Sequence, residues 1–159
     1  TKRHTQYSLN AEGGMRLDKQ TDYALRVLMF LAANMDRLST IAEIAGRFDI
    51  SEAHLMKVVY RLGKAGFVET VRGRSGGMRL AGDGSTIRVG AVVRQMESDL
   101  APVECLRASG NCLITSCCRL KGVLTKAMAA FLAVLDDYTI ADLVQDNHAL
   151  ARLLGDRAA

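Results

Sequence analysis

The stretch from Thr40 to Lys64 restricts the fold more than any other part of this chain. Thr40-Ile-Ala-Glu43 is a capping box, in which the threonine and the glutamate can each satisfy the other's orphan backbone donor. The short helix it predicts buries Ile41, Ile44, Ala45 and Phe48. Asp49-Ile50 supplies a turn and Ser51 a fresh N-cap. A second helix is predicted from about Glu52 to Lys64. Leu55, Val58, Val59 and Leu62 make its apolar stripe, while His54, Lys57, Arg61 and Lys64 make a separate basic stripe at the same helical spacing. Two short helices about a tight turn, the second apolar on one side and cationic on the other, predict a helix-turn-helix. In such a unit the second helix enters the major groove, with Ser51, Glu52, Ala53, His54 and Lys57 nearest its reading end.

Gly66 ends that helix. Phe67 to Val71 is strand-like, Arg72-Gly-Arg-Ser-Gly-Gly77 is a turn, and Met78-Arg-Leu80 returns, which predicts a β-hairpin wing. Arg72 and Arg74 at its tip suit phosphates or the minor groove. A nucleotide-binding loop would need a Gly-Lys-Ser/Thr ending and a following helix, and neither is present. The net charge is only +4, but its location matters more: Arg47 to Arg79 holds seven Lys/Arg against three Asp/Glu, and Leu80 to the end holds eight against nine. A surplus confined to the segment with the helix-turn-helix is an electrostatic footprint for double-stranded DNA. The plainer alternatives are a solvated basic face and a winged helix that binds only protein.

The remaining chain completes one mainly α domain with an appendage. A first helix is predicted from Lys19 to Asn34, carrying Leu25, Leu28 and Leu31 inward. On it Asp22 and Arg26 stand four apart, so Asp22 can serve the helix dipole and pair with Arg26. Ile87 to Met96 reads as a short helix, and Arg119 to Asp137 as a long one with two apolar stripes. The first is Leu120, Leu124, Met128, Phe131 and Leu135; the second is Val123, Ala127, Ala130 and Val134. One small domain hides one such face, so the other predicts a second copy of the helix across a two-fold axis, unless the helix is buried whole in its own subunit. A last short helix is expected over Ile140 to Asp146. No apolar run reaches membrane-spanning length, so a soluble protein without a membrane partner is expected.

The boundaries expected are a tag remnant over 1–14, with the native start at Met15, then a winged helix-turn-helix domain over 15–97. A cysteine-rich loop follows over 98–118, the dimerisation helix and short final helix over 119–146, and a loosely held tail over 147–159.

All four cysteines lie between Cys105 and Cys118, in a stretch with no regular apolar period that contains Gly110 and Asn111. Disulfides are disfavoured: no signal-peptide-like run opens the sequence, and bridges this close in sequence restrict the unfolded chain little. Structural zinc wants short paired spacings, whereas six residues separate Cys105 from Cys112 and four or five separate Cys112 from Cys117 or Cys118. Wide, uneven spacing suits an iron–sulfur cluster better, with zinc, redox thiols and plain buried cysteines as the alternatives. A thiol oxidoreductase using Cys117 and Cys118 is disfavoured, since no helix-opening C-x-x-C and no nearby base accompany them. The expectation is a binding protein and not an enzyme.

Three stretches carry a family resemblance. Met15-Arg-Leu-Asp-Lys-Gln-Thr-Asp-Tyr-Ala-Leu-Arg26, the wing Gly73-Arg-Ser-Gly-Gly-Met-Arg-Leu80, and Cys118-Arg-Leu-Lys121 with Leu135-Asp-Asp-Tyr-Thr-Ile-Ala-Asp-Leu143 are similar to the NsrR-type nitric-oxide-sensing repressors. Those belong to the bacterial winged-helix iron–sulfur regulators that include IscR and RirA, and the resemblance covers Met15 to about Leu154. It implies a cytoplasmic homodimeric repressor of a near-palindromic operator. Each subunit would hold an iron–sulfur cluster, 4Fe–4S by preference and 2Fe–2S as the other option, and DNA would be released on reaction with nitric oxide. The family's thiolate ligands carry over to Cys105, Cys112 and Cys118, the last because it directly precedes Arg-Leu-Lys. Cys117 departs from the pattern, and the first gap is longer than the family's. Lys121 stands where IscR-like members place a histidine, which argues against an IscR-type site. The carboxylate that matches Asp22 is a fourth ligand by resemblance, reaching the cluster of the other subunit, with Arg26 beside it. Ser51, His54, Lys57, Arg61, Arg72 and Arg74 are the expected DNA contacts, and a related iron- or redox-sensing regulator is the alternative function.

Overall fold

The computed structural model describes residues 16–107 and 109–155. The expected remnant over 1–14 and Met15 lie outside the described residues. Seven α-helices and one hairpin are described: α1 Lys19–Ala33, α2 Ile41–Phe48, α3 Glu52–Lys64, β1 Val68–Val71, β2 Gly77–Leu80, α4 Val89–Met96, α5 Arg119–Asp136, α6 Ile140–Val144 and α7 His148–Leu154.

Five of the seven helices start at a side-chain cap; α4 and α5 do not. Asp18 accepts from the Gln20 amide at α1, and Thr40 with Glu43 closes a reciprocal capping box at α2. Ser51 caps α3, and Thr139 with Asp142 forms a second box at α6. Each such cap stabilises its helix by about 1 kcal/mol. Glu43 titrates below the usual carboxylate range: partial burial opposes this, but hydrogen bonds from Thr40 and the nearby Arg37 outweigh it.

The core is one cluster that α1 runs through. Ala24, Val27, Leu28, Phe30 and Leu31 are buried against Ile44 of α2, Leu55, Val58 and Leu62 of α3, and Val92 and Met96 of α4. The hairpin closes one edge, with Val68 paired to Leu80 and Val71 to Gly77. Ser39 makes a single antiparallel bridge to the hairpin's outer edge through two bonds with Met78, of 2.9 and 2.8 Å. That approach demands glycine at 77, since a Cβ there would lie 2.8 Å from the Ser39 carbonyl oxygen.

The tail differs from expectation. Residues 148–155 are not loose: α7 packs on α1 and buries Leu154 in the core. Asn34 Nδ2 donates to the Leu154 carbonyl at 3.0 Å, and Arg47 donates to those of Leu153 and Gly155 at 2.7 and 3.0 Å. A buried amide and a half-buried guanidinium thus hold a helix too short to show a clear sequence pattern. The core also takes Ile140 from α6, so the winged-helix unit is completed by chain from beyond the cysteine segment.

Helix α5 stands apart. None of its residues is buried. Its last turn is fixed to α4 by two bonds from the Arg94 guanidinium to the Asp136 carboxylate, 2.7 and 2.5 Å. Those bonds hold the Asp136 carboxyl below the usual range. Gly90 makes the approach possible, because a Cβ there would sit 2.0 Å from Asp136 Oδ1. Beyond that anchor, Leu120, Val123 and Val134 are each more than half exposed.

Candidate functional site

Two surfaces carry the chemistry: the outer face of α3 with the wing, and the cysteine segment before α5. On α3, Leu55, Val58, Val59 and Leu62 are buried, so the opposite face is presented outward. That face shows Ser51, Glu52, Ala53, His54, Lys57, Tyr60 and Lys64. The Ser51 hydroxyl accepts from the His54 amide at 3.4 Å and shares a 3.0 Å hydrogen bond with its ring Nδ1. This fixes the imidazole at the start of the helix. Lys57 is exposed, and Lys64 lies 5.8 Å from the Tyr60 ring centroid, a cation over an aromatic face. Sequence reasoning did not single out Tyr60, although its spacing from Lys57 and Lys64 already sets it on the basic stripe and off the apolar one.

The wing tip spans 72–76, with Arg72 and Arg74 exposed. Its turn is tight: Gly73 has φ 118°, and a Cβ on Gly76 would fall 2.3 Å from the Val71 carbonyl oxygen. Arg79 is tied to its cross-strand partner Glu69, so it is not a mobile cation. If Arg72 and Arg74 meet phosphates, alanine at both should lower the slope of log affinity against log salt by about 2, roughly one per phosphate. Titration of operator and of unrelated duplex over a salt series checks this, and equal proportional losses on both are expected.

Arg61 is placed differently from expectation. Its guanidinium does not join the outward basic face. Nη1 donates to Gln20 Oε1 at 2.8 Å, and Nη2 donates to the carbonyls of Met96 and Gln95 at 2.8 and 3.3 Å. The last carbonyls of α4 lack helical partners, and a cation satisfies them well.

The cysteine segment contains a 3₁₀ turn at Glu104–Leu106 and turns up to Cys118, but no α-helix or strand among its described residues. All four thiols are free. Cys105, Cys112 and Cys118 are half-buried, while Cys117 is exposed and its thiol donates to the Ile114 carbonyl at 3.5 Å. Among the described residues no three His, Cys, Asp or Glu side chains converge on a single-ion site. The donor set fits a larger, multi-iron group better than one ion: three thiols and no histidine beside them, spread along a turn-rich segment. Cys118 holds the N-cap position of α5 without a capping hydrogen bond, which leaves first-turn amides of an 18-residue helix facing that side. Such an end favours an anionic assembly. Asp22 is not brought to these thiols within the subunit. It pairs with Arg26 at 2.8 Å, and both side chains are near half-exposed.

The sequence profile of the Rrf2 family, described as iron-dependent transcriptional regulators, matches residues 17–146. The HTH-type transcriptional regulator NsrR of Geobacillus kaustophilus is 52% identical over 145 residues, 90% of this chain and 99% of that protein. The NsrR of Bacillus subtilis is 52% identical over 142 residues, 88% of this chain and 97% of that one. Among solved structures, T. potens IscR superimposes with a TM-score of 0.68 at 28% identity, covering 86% of this chain and 90% of that chain. CymR of B. subtilis, described as its global cysteine regulator, gives 0.67 at 24% identity over 82% of this chain and 97% of that one, a likeness of fold.

Proposed function

The chain belongs to the Rrf2 family of transcriptional regulators, and on that premise we propose that it is a homodimeric repressor whose operator grip depends on an iron–sulfur cluster and ends on exposure to nitric oxide. The observation that carries this reading is the pairing of an outward, cationic recognition face with three half-buried free thiols in one turn-rich segment. The relatives are regulators and not enzymes.

Cys105, Cys112 and Cys118 would hold the cluster, with 4Fe–4S preferred and 2Fe–2S the alternative. When bound, the group supplies iron that reacts with nitric oxide and ligand bonds that order the segment. The chain's own residues do the rest. The α5 helices of two subunits pair through their exposed apolar stripes and set the spacing of the two α3 helices on successive major grooves. Ser51 and His54 meet base edges or backbone, and Lys57, Arg72 and Arg74 neutralise phosphates. No helix among the described residues is long and apolar enough to cross a membrane.

Asp22 of one subunit is our fourth ligand for the other's cluster. Its ion pair with Arg26 is a surface one, worth about 0–1 kcal/mol, so little opposes its exchange for a metal bond. A hard oxygen ligand on a soft cluster is weakly held and leaves a replaceable corner.

The test is operator affinity at fixed salt for loaded protein, for cluster-free protein, and for loaded protein after nitric oxide, oxygen or an iron chelator. Tight binding only by the loaded form, lost fastest with nitric oxide, is expected. Faster loss with oxygen or chelator would instead mark an iron or redox sensor. Asp22→Ala should alter the absorption spectrum and the nitric oxide reaction; identical traces would remove Asp22 from the ligand set.

A further inference from the structure

We propose that Arg61 is a positioning residue that couples the recognition helix to the cysteine segment, a role that rests on the function proposed above. Arg61 lies on α3, yet its guanidinium points away from the DNA-facing side and grips the carbonyls of Gln95 and Met96. Those are the residues after which the chain leaves α4 for the cysteine segment. The same guanidinium holds Gln20 on α1.

These contacts close a ring. The Gln20 amide donates to Asp18 Oδ1 at 2.8 Å, and the Asp18 amide donates to Glu97 Oε1 at 2.7 Å. Glu97 follows Met96 directly, and its amide donates to the Val93 carbonyl at 2.8 Å. Three elements distant in sequence therefore meet at one cation: the start of α1, the third turn of α3, and the end of α4. Met96 is 1% exposed, so its carbonyl cannot shift without disturbing the core.

Two routes from the cysteine segment into the reader arrive here, beside the one through α5 and its Asp136–Arg94 anchor on α4. One runs along the chain through Glu97 into α4. The other runs through α1, where Asp22 sits two residues beyond Gln20. Arg61 is where both act on α3. A phosphate-binding arginine would need a free guanidinium; here three acceptors hold it. A lysine has one point charge and cannot span Gln20 and two carbonyls with a rigid planar fork.

The experiment compares wild type with Arg61→Met, Arg61→Lys and Gln20→Ala. Operator affinity is measured for loaded and cluster-free protein over a salt series. Amide exchange of residues 95–107 is measured in cluster-free protein, with and without saturating operator. Coupling is reciprocal, so operator bound at α3 should protect those amides in wild type. Arg61→Met should abolish that protection and weaken the loaded form about tenfold, while lowering cluster-free affinity by less and leaving the salt slope unchanged. Arg61→Lys should restore part of each. Gln20→Ala, which leaves α3 intact, should act in the same direction and decides the matter if Arg61→Met does not fold.

Equal losses in loaded and cluster-free protein, with a salt slope lower by about one, would make Arg61 a phosphate ligand and overturn the proposal. Retained protection in both variants would overturn it too. If wild-type loaded and cluster-free proteins bound operator alike, the cluster-dependent function would fall, and the exchange measurement would still decide Arg61.

Discussion

Protein carrying Cys118→Ala is expected to leave anaerobic purification colourless and to bind its operator no better than cluster-free wild type, about 5–150-fold more weakly than the loaded form. Cys117→Ala is expected to stay brown and to bind as wild type does. The two sulfurs are adjacent in sequence, yet their settings differ. Cys117 is exposed and its thiol is turned back onto the Ile114 carbonyl of its own turn. Cys118 is half-buried at the mouth of α5, where first-turn amides lack a side-chain acceptor. Three thiolates reduced to two cannot hold a multi-iron group against solvent thiols and water. The fold should survive, because the Cys118 side chain makes no capping bond whose loss would fray α5. Far-ultraviolet dichroism and melting equal to those of cluster-free wild type would confirm that colour, and not the fold, has been lost. A brown Cys118→Ala beside a colourless Cys117→Ala would move the third ligand by one residue and reverse the argument.

The recognition unit was legible because its information is local. Thr40 with Glu43, and Ser51 at the head of α3, act within one turn, so their spacing alone places two helix starts. The wing was legible for a similar reason: a glycine-rich turn between two short runs allows one hairpin register. Asp22 and Arg26 also met as four-residue spacing requires. Arg61 was misplaced because helical spacing gives a direction and not a neighbour. Its acceptors lie 41, 34 and 35 residues away, on α1 and α4. The tail was misread for the same cause: α7 has only seven residues, and what holds it are Asn34 and Arg47, over a hundred residues earlier. The cysteines announced their chemistry through type and spacing. Their arrangement did not follow, since turns without a regular period give no geometry to read. These failures share a rule: contacts made by long polar side chains across the fold leave no mark in the pattern of either partner.

The second large effect concerns α5. Val123→Glu is expected to convert a dimer into a monomer at micromolar concentration and to cost about 10²–10⁴-fold in affinity for a two-half-site operator. Helix α5 has 18 residues and buries none of them in its own subunit. Val123 is 61% exposed and Val134 57%, in the same apolar stripe, with Leu120 at 57% beside them. A carboxylate placed there would be desolvated in the helix pair, a cost of up to about 3–5 kcal/mol for a buried charge, less what Arg119 and Lys126 at helical spacing recover. Two-fold symmetry counts that cost twice. The single subunit should keep its fold, since Val123 belongs to the surface of the isolated chain and the core around α1 does not include it. Thr125→Glu, outside both apolar stripes, is the control and should remain dimeric. Sedimentation velocity reads the mass, and binding to a single half-site reads the reader itself. Half-site affinity should match wild type within a few-fold while full-operator affinity collapses. A Val123→Glu protein that sediments as a dimer and grips the full operator normally would mean that another surface joins the subunits.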